Sequence, residues 1–243
     1  SVYTLTVEET RGTIYDSKMR PLTGTESRYL AAVVPSEENE QQILSDSRFL
    51  AENDVLAEKL AEGYPFLTEV RMEFTDIPQV TVFSVDERYT ENQIAAHILG
   101  YRNGDGDGVT GIEQAYDSLL QGISQKTTVT YTVDALRQPL VGTEPEIRYA
   151  SEAVEGVVLT IDKRLQQICE EVGSQYLKKG AVVLMEASTG KLRACASFPD
   201  YSPENIAEAI EDTENAPLVN RAFSAYNVGS VFKTVTASSA LSQ

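Results

Sequence analysis

Ser230 and Lys233 are the residues of this chain best suited to covalent chemistry. They form an S-x-x-K tetrad, Ser230-Val-Phe-Lys233, directly after Gly229 and ahead of a small-residue run to Leu241 that predicts a helix. Residues three apart lie on one face of a helix, so the serine hydroxyl and the lysine amine come within hydrogen-bonding reach. A serine oxygen is a weak nucleophile until a neighbouring base takes its proton, and a desolvated lysine can be that base. The first amides of a helix lack intrahelical acceptors, and those beside Ser230 favour an oxyanion in acyl transfer. By itself the tetrad is a short pattern, equally met as a surface serine and lysine on an ordinary helix. Its surroundings decide between the two.

From Val157 onward the pattern is β-α-β-β. Asp162 can cap a helix in which Leu165, Ile168, Cys169, Val172 and Tyr176 make one apolar face. Ala181–Met185 is a continuous apolar run, as in a strand buried on both faces, whereas Lys191–Ala196 alternates as if one side were wet. Ser188-Thr-Gly190 between them reads as a hairpin turn.

The first 150 residues read differently. Thr4–Val7, Tyr29–Val34, Val80–Val85 and Lys126–Val133 are extended runs, and turn-formers occupy Arg20–Gly24. Acidic helices are expected over Glu38–Ser45 and Ala51–Glu62, the second stopped by Gly63 and Pro65. Thr90-Glu-Asn-Gln93 is a capping box predicted to open the helix bearing His97, and Gly111–Leu120 is another short helix. The polar stretch from Gly142 through Glu155-Gly156 reads as a linker.

Composition narrows the partners. The net charge of −17 argues against nucleic acid and against basic attachment to an anionic membrane. No stretch approaches the ~18 apolar residues of a membrane span, and no signal peptide is visible. The two cysteines, Cys169 and Cys195, read as small buried hydrophobes rather than a disulfide framework. Asn103–Gly108 resembles the start of a calcium loop, but Gln114 stands where the bidentate Glu belongs, so a turn is expected. His97 is the single histidine and cannot build a multi-histidine metal site, so a structural role is expected, and neither metal nor cofactor is called for.

Other segments share one resemblance. Arg11-Gly-Thr-Ile-Tyr-Asp16 looks like R-G-x-I-x-D; Ala96-His-Ile-Leu-Gly-Tyr101 like A-H-x-x-G; and Gly111–Asp117 like G-x-E-x-x-Y-D. Val158-Leu-Thr-Ile-Asp162 with Leu165-Gln166 looks like L-T-I-D-x-x-L-Q, and Asn220-Arg-Ala222 precedes Gly229-Ser-Val-Phe-Lys233. In this order the set resembles the class B penicillin-binding proteins, the peptidoglycan cross-linking enzymes. Val228 departs from the family's usual Pro, and Gln114 from its common Gly. The family's S-x-N motif does not occur in this sequence, nor does K-T-G downstream of the serine.

The resemblance implies an α+β chain. A mainly β pedestal domain with short helices spans 1–150, and an incomplete α/β penicilloyl-serine transferase domain spans 151–243. It implies a serine-type D,D-transpeptidase with Ser230 as nucleophile and Lys233 as base, acting on peptidoglycan stem peptides and acylated by β-lactams. A β-lactam sensor and a non-catalytic, partner-binding pedestal are the alternatives. It further implies a single-pass anchor upstream of Ser1, an extracytoplasmic location, and a membrane-embedded glycan polymerase and divisome or elongasome proteins as partners. A second copy of the chain is a candidate partner too. The Arg11 and Asp16 signature is expected to be structural.

Overall fold

A computed structural model describes residues 1–136, 138–140, 143–150 and 155–241. The N-terminal part contains β1 (Val2–Glu9), β2 (Thr13–Tyr15), β3 (Glu26–Val33), α1 (Glu40–Ser45), α2 (Asn53–Glu62), β4 (Phe66–Val70) and β5 (Val80–Glu87). Then come α3 (Ala96–Leu99), α4 (Gly111–Ala115), α5 (Asp117–Gly122), β6 (Lys126–Thr132) and β7 (Glu146–Arg148). The remainder holds β8 (Gly156–Val158), α6 (Lys163–Tyr176), β9 (Gly180–Met185), β10 (Leu192–Phe198), α7 (Ile206–Glu211) and α8 (Lys233–Leu241).

Strand alternation builds the N-terminal core. β3 is the centre of an antiparallel sheet ordered β4-β3-β5 and is covered on both faces. Ala31 and Val33 point to a cluster with Ile43, Leu56, Leu60 and Phe66, so α1 and α2 roof one face. Leu30 and Ala32 point the other way, onto Val7, Val129 and Tyr131 of the β1-β6-β7 sheet. Successive side chains of a strand leave on opposite faces, so an apolar run such as Leu30–Val33 is suited to the middle layer. The β1–β6 register slips between Thr6 and Glu8, a bulge that leaves Val7 unpaired and buried. α2 ends as the sequence predicts, at Gly63 with φ +74°.

A buried ion cluster joins two of the motif segments. The Glu113 carboxylate is fully enclosed and accepts from Arg11 Nε at 2.8 Å, Arg88 Nε at 2.8 Å and the Tyr89 hydroxyl at 3.0 Å. Arg11 Nη2 donates to Asp117 Oδ1 at 2.6 Å, and Arg88 Nη1 to the Gly12 carbonyl at 2.8 Å. Burial pushes the Tyr89 hydroxyl strongly up, and pushes Arg88 down against the pull of Glu113. Asp117 also accepts from the Gly108 amide, and Asn103 Oδ1 from the amides of Asp105 and Asp107, so the Asn103–Gly108 segment is a turn braced by its own chain.

Several elements depart from expectation. The Gly111–Leu120 helix is broken at Tyr116 into α4 and α5. Gln93 does return a bond to the Thr90 amide, but α3 starts only at Ala96, after Ala95 in a left-handed conformation. Part of the predicted linker is strand, since β7 pairs with β6; Gly142 and residues 151–154 lie outside the described residues. Among the described residues no helix is long and apolar enough to cross a membrane.

Glu113→Ala would leave two poorly exposed guanidiniums without their shared partner. A loss of about 3–5 kcal/mol is expected in urea unfolding; a loss below about 1 kcal/mol would mean that the site is wetter than its geometry implies.

Candidate active site

The start of the second region is fixed by residues from the first. β2 and β8 pair in parallel, Thr13 to Tyr15 against Gly156 to Val158. Asp16, fully enclosed, accepts from the amides of Lys18 at 2.9 Å, Arg20 at 2.8 Å and Lys163 at 3.0 Å, and from the Arg20 guanidinium at 2.6 Å. Arg20 reaches on to Asp162, which also pairs with Lys18. Burial alone would raise the Asp16 carboxyl; the Arg20 side chain and the three amides outweigh it and hold it at about 2. Asp162 caps α6 as predicted, accepting from the amides of Arg164 and Leu165. Its carboxyl is held far below the ordinary range, chiefly by Lys18.

α6 packs on the β9–β10 hairpin with an unexpected face. The residues turned to β10 are Gln166 and Gly173, whereas Ile168, Val172 and Tyr176 of the apolar stripe are exposed. Gln166 makes both backbone bonds to Cys195, accepting from its amide at 2.7 Å and donating to its carbonyl at 3.0 Å. Gly173 lies against the Phe198 ring, where a Cβ would clash. The strands exchange the roles predicted for them: β10 is buried from Ala194 to Phe198, while Val183, Leu184 and Met185 of β9 are exposed. Cys195 is buried and Cys169 half-buried, and burial pushes both thiols up.

β10 then anchors the segment that leads to the tetrad. Ser197 Oγ donates to the Val219 carbonyl at 3.1 Å and accepts from the Arg221 amide at 3.0 Å. The Arg221 guanidinium donates to the carbonyls of Asn215 and Ala216, closing the turn before it. Asn220 Oδ1 accepts from the Ala222 amide.

Ser230 lies in a 3-10 turn, Gly229–Phe232, which runs directly into α8, and Gly229 has φ +52°. The Lys233 amide donates to the Ser230 and Val231 carbonyls, so serine and lysine stand one turn apart on a continuous helical segment. Among the described residues no hydrogen bond joins the two side chains, and none occupies the Ser230 amide. Both residues are exposed, as are Val231 at 71% and Phe232 at 58%. The structure therefore supplies the helix-start placement but not the closed Oγ–Nζ contact or a desolvated lysine.

His97, expected to be structural, lies on α3 and meets the second region, with Nε2 2.6 Å from the Pro217 carbonyl and its ring edge-on to Tyr201. The seam residues Glu170, Asp200 and Tyr201 carry no motif of their own; the i to i+4 spacing of Gln166 and Glu170 is the one signal that could have marked them. Among the described residues no group of three or more acidic, histidine or cysteine side chains could hold a metal ion.

Residues 180–243 match the penicillin binding protein transpeptidase domain family. The peptidoglycan D,D-transpeptidase MrdA of Escherichia coli is 28% identical over 97% of this chain and 44% of its own length. The peptidoglycan D,D-transpeptidase FtsI of Buchnera aphidicola is 29% identical over 66% of this chain and 28% of its own length. The chain thus spans less than half the length of these curated relatives. In fold it is similar to penicillin-binding protein PBP2 of Helicobacter pylori, with TM-score 0.59 at 23% identity, covering 100% of this chain and 53% of that one. The same protein solved with MreC gives TM-score 0.56. By sequence the chain is related to the class B penicillin-binding proteins, as its motifs imply.

Asp16→Asn should lower stability at pH 7 by about 1.5–3 kcal/mol, the scale of hydrogen bonds to a charged group. Because the folded pKa is depressed, that contribution is complete above the ordinary value of 3.8 and is lost as pH falls towards about 2. The variant's acid unfolding curve should be flatter over that interval; an unchanged curve would remove Asp16 from the acid response.

Proposed function

We infer that this chain is part of a peptidoglycan D,D-transpeptidase, with 1–150 as its pedestal and 151–243 as the nucleophile-bearing part of its transpeptidase domain. The observation that carries this is the tetrad at the start of α8, within a region matching the transpeptidase family. Ser230 Oγ attacks the penultimate D-alanine carbonyl of a stem peptide as Lys233 Nζ takes the hydroxyl proton. The peptide C–N bond breaks, the proton passes to the leaving amine, and D-alanine departs. An amine on a neighbouring stem then displaces serine from the acyl group. A β-lactam follows the first half of this course: Oγ bonds to the lactam carbonyl and the ring C–N bond opens. The unoccupied Ser230 amide serves as one oxyanion donor.

Ser230 and Lys233 are both open to solvent, so the reaction needs further segments to cover them and exclude water. Segments carrying S-x-N and K-T-G would supply that cover, the proton relay and a second oxyanion donor. The extracytoplasmic location and the membrane anchor belong to this reading. So do its partners, a membrane-embedded glycan polymerase and divisome or elongasome proteins; the PBP2–MreC complex of Helicobacter pylori supports the latter.

In a protein containing this chain together with S-x-N and K-T-G segments, labelled penicillin should attach to Ser230. Ser230→Ala should abolish the adduct, and Lys233→Ala should slow acylation by about 10²–10⁴. A peptide map placing the label on another serine would overturn the assignment. The chain alone lacks one oxyanion donor, a loss typically costing about 10²–10³ in rate, so intact mass should show little adduct within minutes.

A further inference from the structure

The turn between α3 and α4 holds the one asparagine of the sequence that is followed by glycine, Asn103-Gly104. Both residues are exposed, and among the described residues no hydrogen bond occupies the Gly104 amide. The Asn103 carboxamide, by contrast, is fixed by its own chain. Its Oδ1 accepts from the Asp107 amide at 2.9 Å and from the Asp105 amide at 3.0 Å. Two backbone donors converge on that atom, so it is the oxygen of the group and not the nitrogen. The main chain closes the same turn: Asn103 N donates to the Asp107 carbonyl at 2.9 Å, and Gly106 N to the Asn103 carbonyl at 3.0 Å.

A carboxamide resists attack because negative charge must build on its oxygen as the new bond forms. Backbone amides already aimed at that oxygen lower this cost, as they do in any acyl transfer. The nitrogen next along the chain is that of Gly104, and its attack on Asn103 Cγ closes a five-membered ring. Glycine has no Cβ to screen that nitrogen or to restrict the backbone rotation the ring requires.

We propose that Asn103 is a self-modification site, at which the amides of Asp105 and Asp107 assist attack by Gly104 and water converts the asparagine into aspartate or isoaspartate. Hydroxide takes the Gly104 amide proton, and the nitrogen bonds to Asn103 Cγ. The Cγ–Nδ2 bond breaks, and the nitrogen departs as ammonia with a proton from water, which regenerates the hydroxide. Water then opens the succinimide. Cleavage between the ring nitrogen and Cγ restores the ordinary main chain and leaves aspartate. Cleavage on the other side leaves the main chain running through Cβ and Cγ, which is isoaspartate. The sum is one water consumed and one ammonia released.

The two products act differently on the turn. Aspartate keeps an oxygen where Oδ1 stood, charged and better suited to the two amides. Isoaspartate lengthens the main chain by one carbon, so the bonds from Asn103 to Asp107 and Gly106 lose their register. That turn abuts the buried ion cluster: the Gly108 amide donates to Asp117 Oδ1 at 2.9 Å, and the Gly106 carbonyl accepts from Arg11 Nη1 at 3.5 Å. Isoaspartate at 103 therefore loosens the brace on Arg11 and Asp117, and aspartate does not. This inference stands apart from the chemistry proposed for Ser230.

Incubation of this chain at mildly alkaline pH tests it. Intact mass should rise by the difference between a hydroxyl and an amino group, and peptide mapping should place the gain on Asn103 before any other asparagine. A synthetic peptide of residues 101–109 gives the rate without the folded turn. The folded chain should convert at least as fast as the peptide. A folded chain that stays intact while the peptide converts, or a gain that maps first to another residue, overturns the proposal. Gly104→Ala places its Cβ in open space and should slow the gain several-fold; an unchanged rate overturns it equally. If that variant does not fold, the comparison with the peptide decides. The separated isoaspartate form should unfold at lower urea than the aspartate form, and equal midpoints would remove the effect on the turn.

Discussion

One enclosed carboxylate, that of Asp16, fixes where the second half of the chain begins. It holds the amide of Lys163, the first residue of α6, from a position at the end of β2. β2 and β8 are parallel, so no tight turn can join them and everything between must serve as the crossover. That crossover is most of the N-terminal region, from β3 to β7; only β1 precedes it. Closing so long a connection is tolerated because the entropy of closure grows only with the logarithm of length. Asp162 completes the joint by capping α6 while pairing with Lys18 and Arg20. The direction of the first helix after the joint is thus set by residues from the other end of the sequence.

What the sequence disclosed was local. Gly63 ends α2, Asp162 starts α6 and Gly229 introduces the serine turn, because each depends on a few neighbouring atoms. Burial was not local. The run Ala181–Met185 reads as a doubly buried strand, and the alternating Lys191–Ala196 as a half-wet one, yet the hairpin places them the other way round. An apolar run shows that a strand wants cover, not which element covers it; α6 turns Gln166 and Gly173 to β10 and leaves Ile168, Val172 and Tyr176 of its apolar stripe outward. The ion cluster of Arg11, Glu113 and Asp117 was present as two separate motifs, and only the fold shows that they are one.

The tetrad shows how little residue spacing alone decides about chemistry. Ser230 and Lys233 are correctly spaced, and the serine amide is unoccupied, yet both side chains stand in solvent. The neighbouring apolar residues Val231, Phe232 and Val235 are exposed as well, so this face is both open and apolar, the kind of surface that marks a contact with a further segment or partner.

The position of the serine is in turn inherited through β10. Cys195 is clasped by Gln166 of α6, and two residues on, Ser197 binds both Val219 and Arg221. Asn220, between those two, reaches the His97 carbonyl in the N-terminal region. The N-R-A segment is therefore held by polar contacts to both regions, one set from the strand and one from the Ala95–Leu99 turn. Hydrogen bonds define position more sharply than apolar packing does, because they fail over a few tenths of an ångström. Burying polar groups at this seam costs desolvation that an apolar seam would avoid. The return is that the segment leading to Ser230 is placed by contacts from both regions.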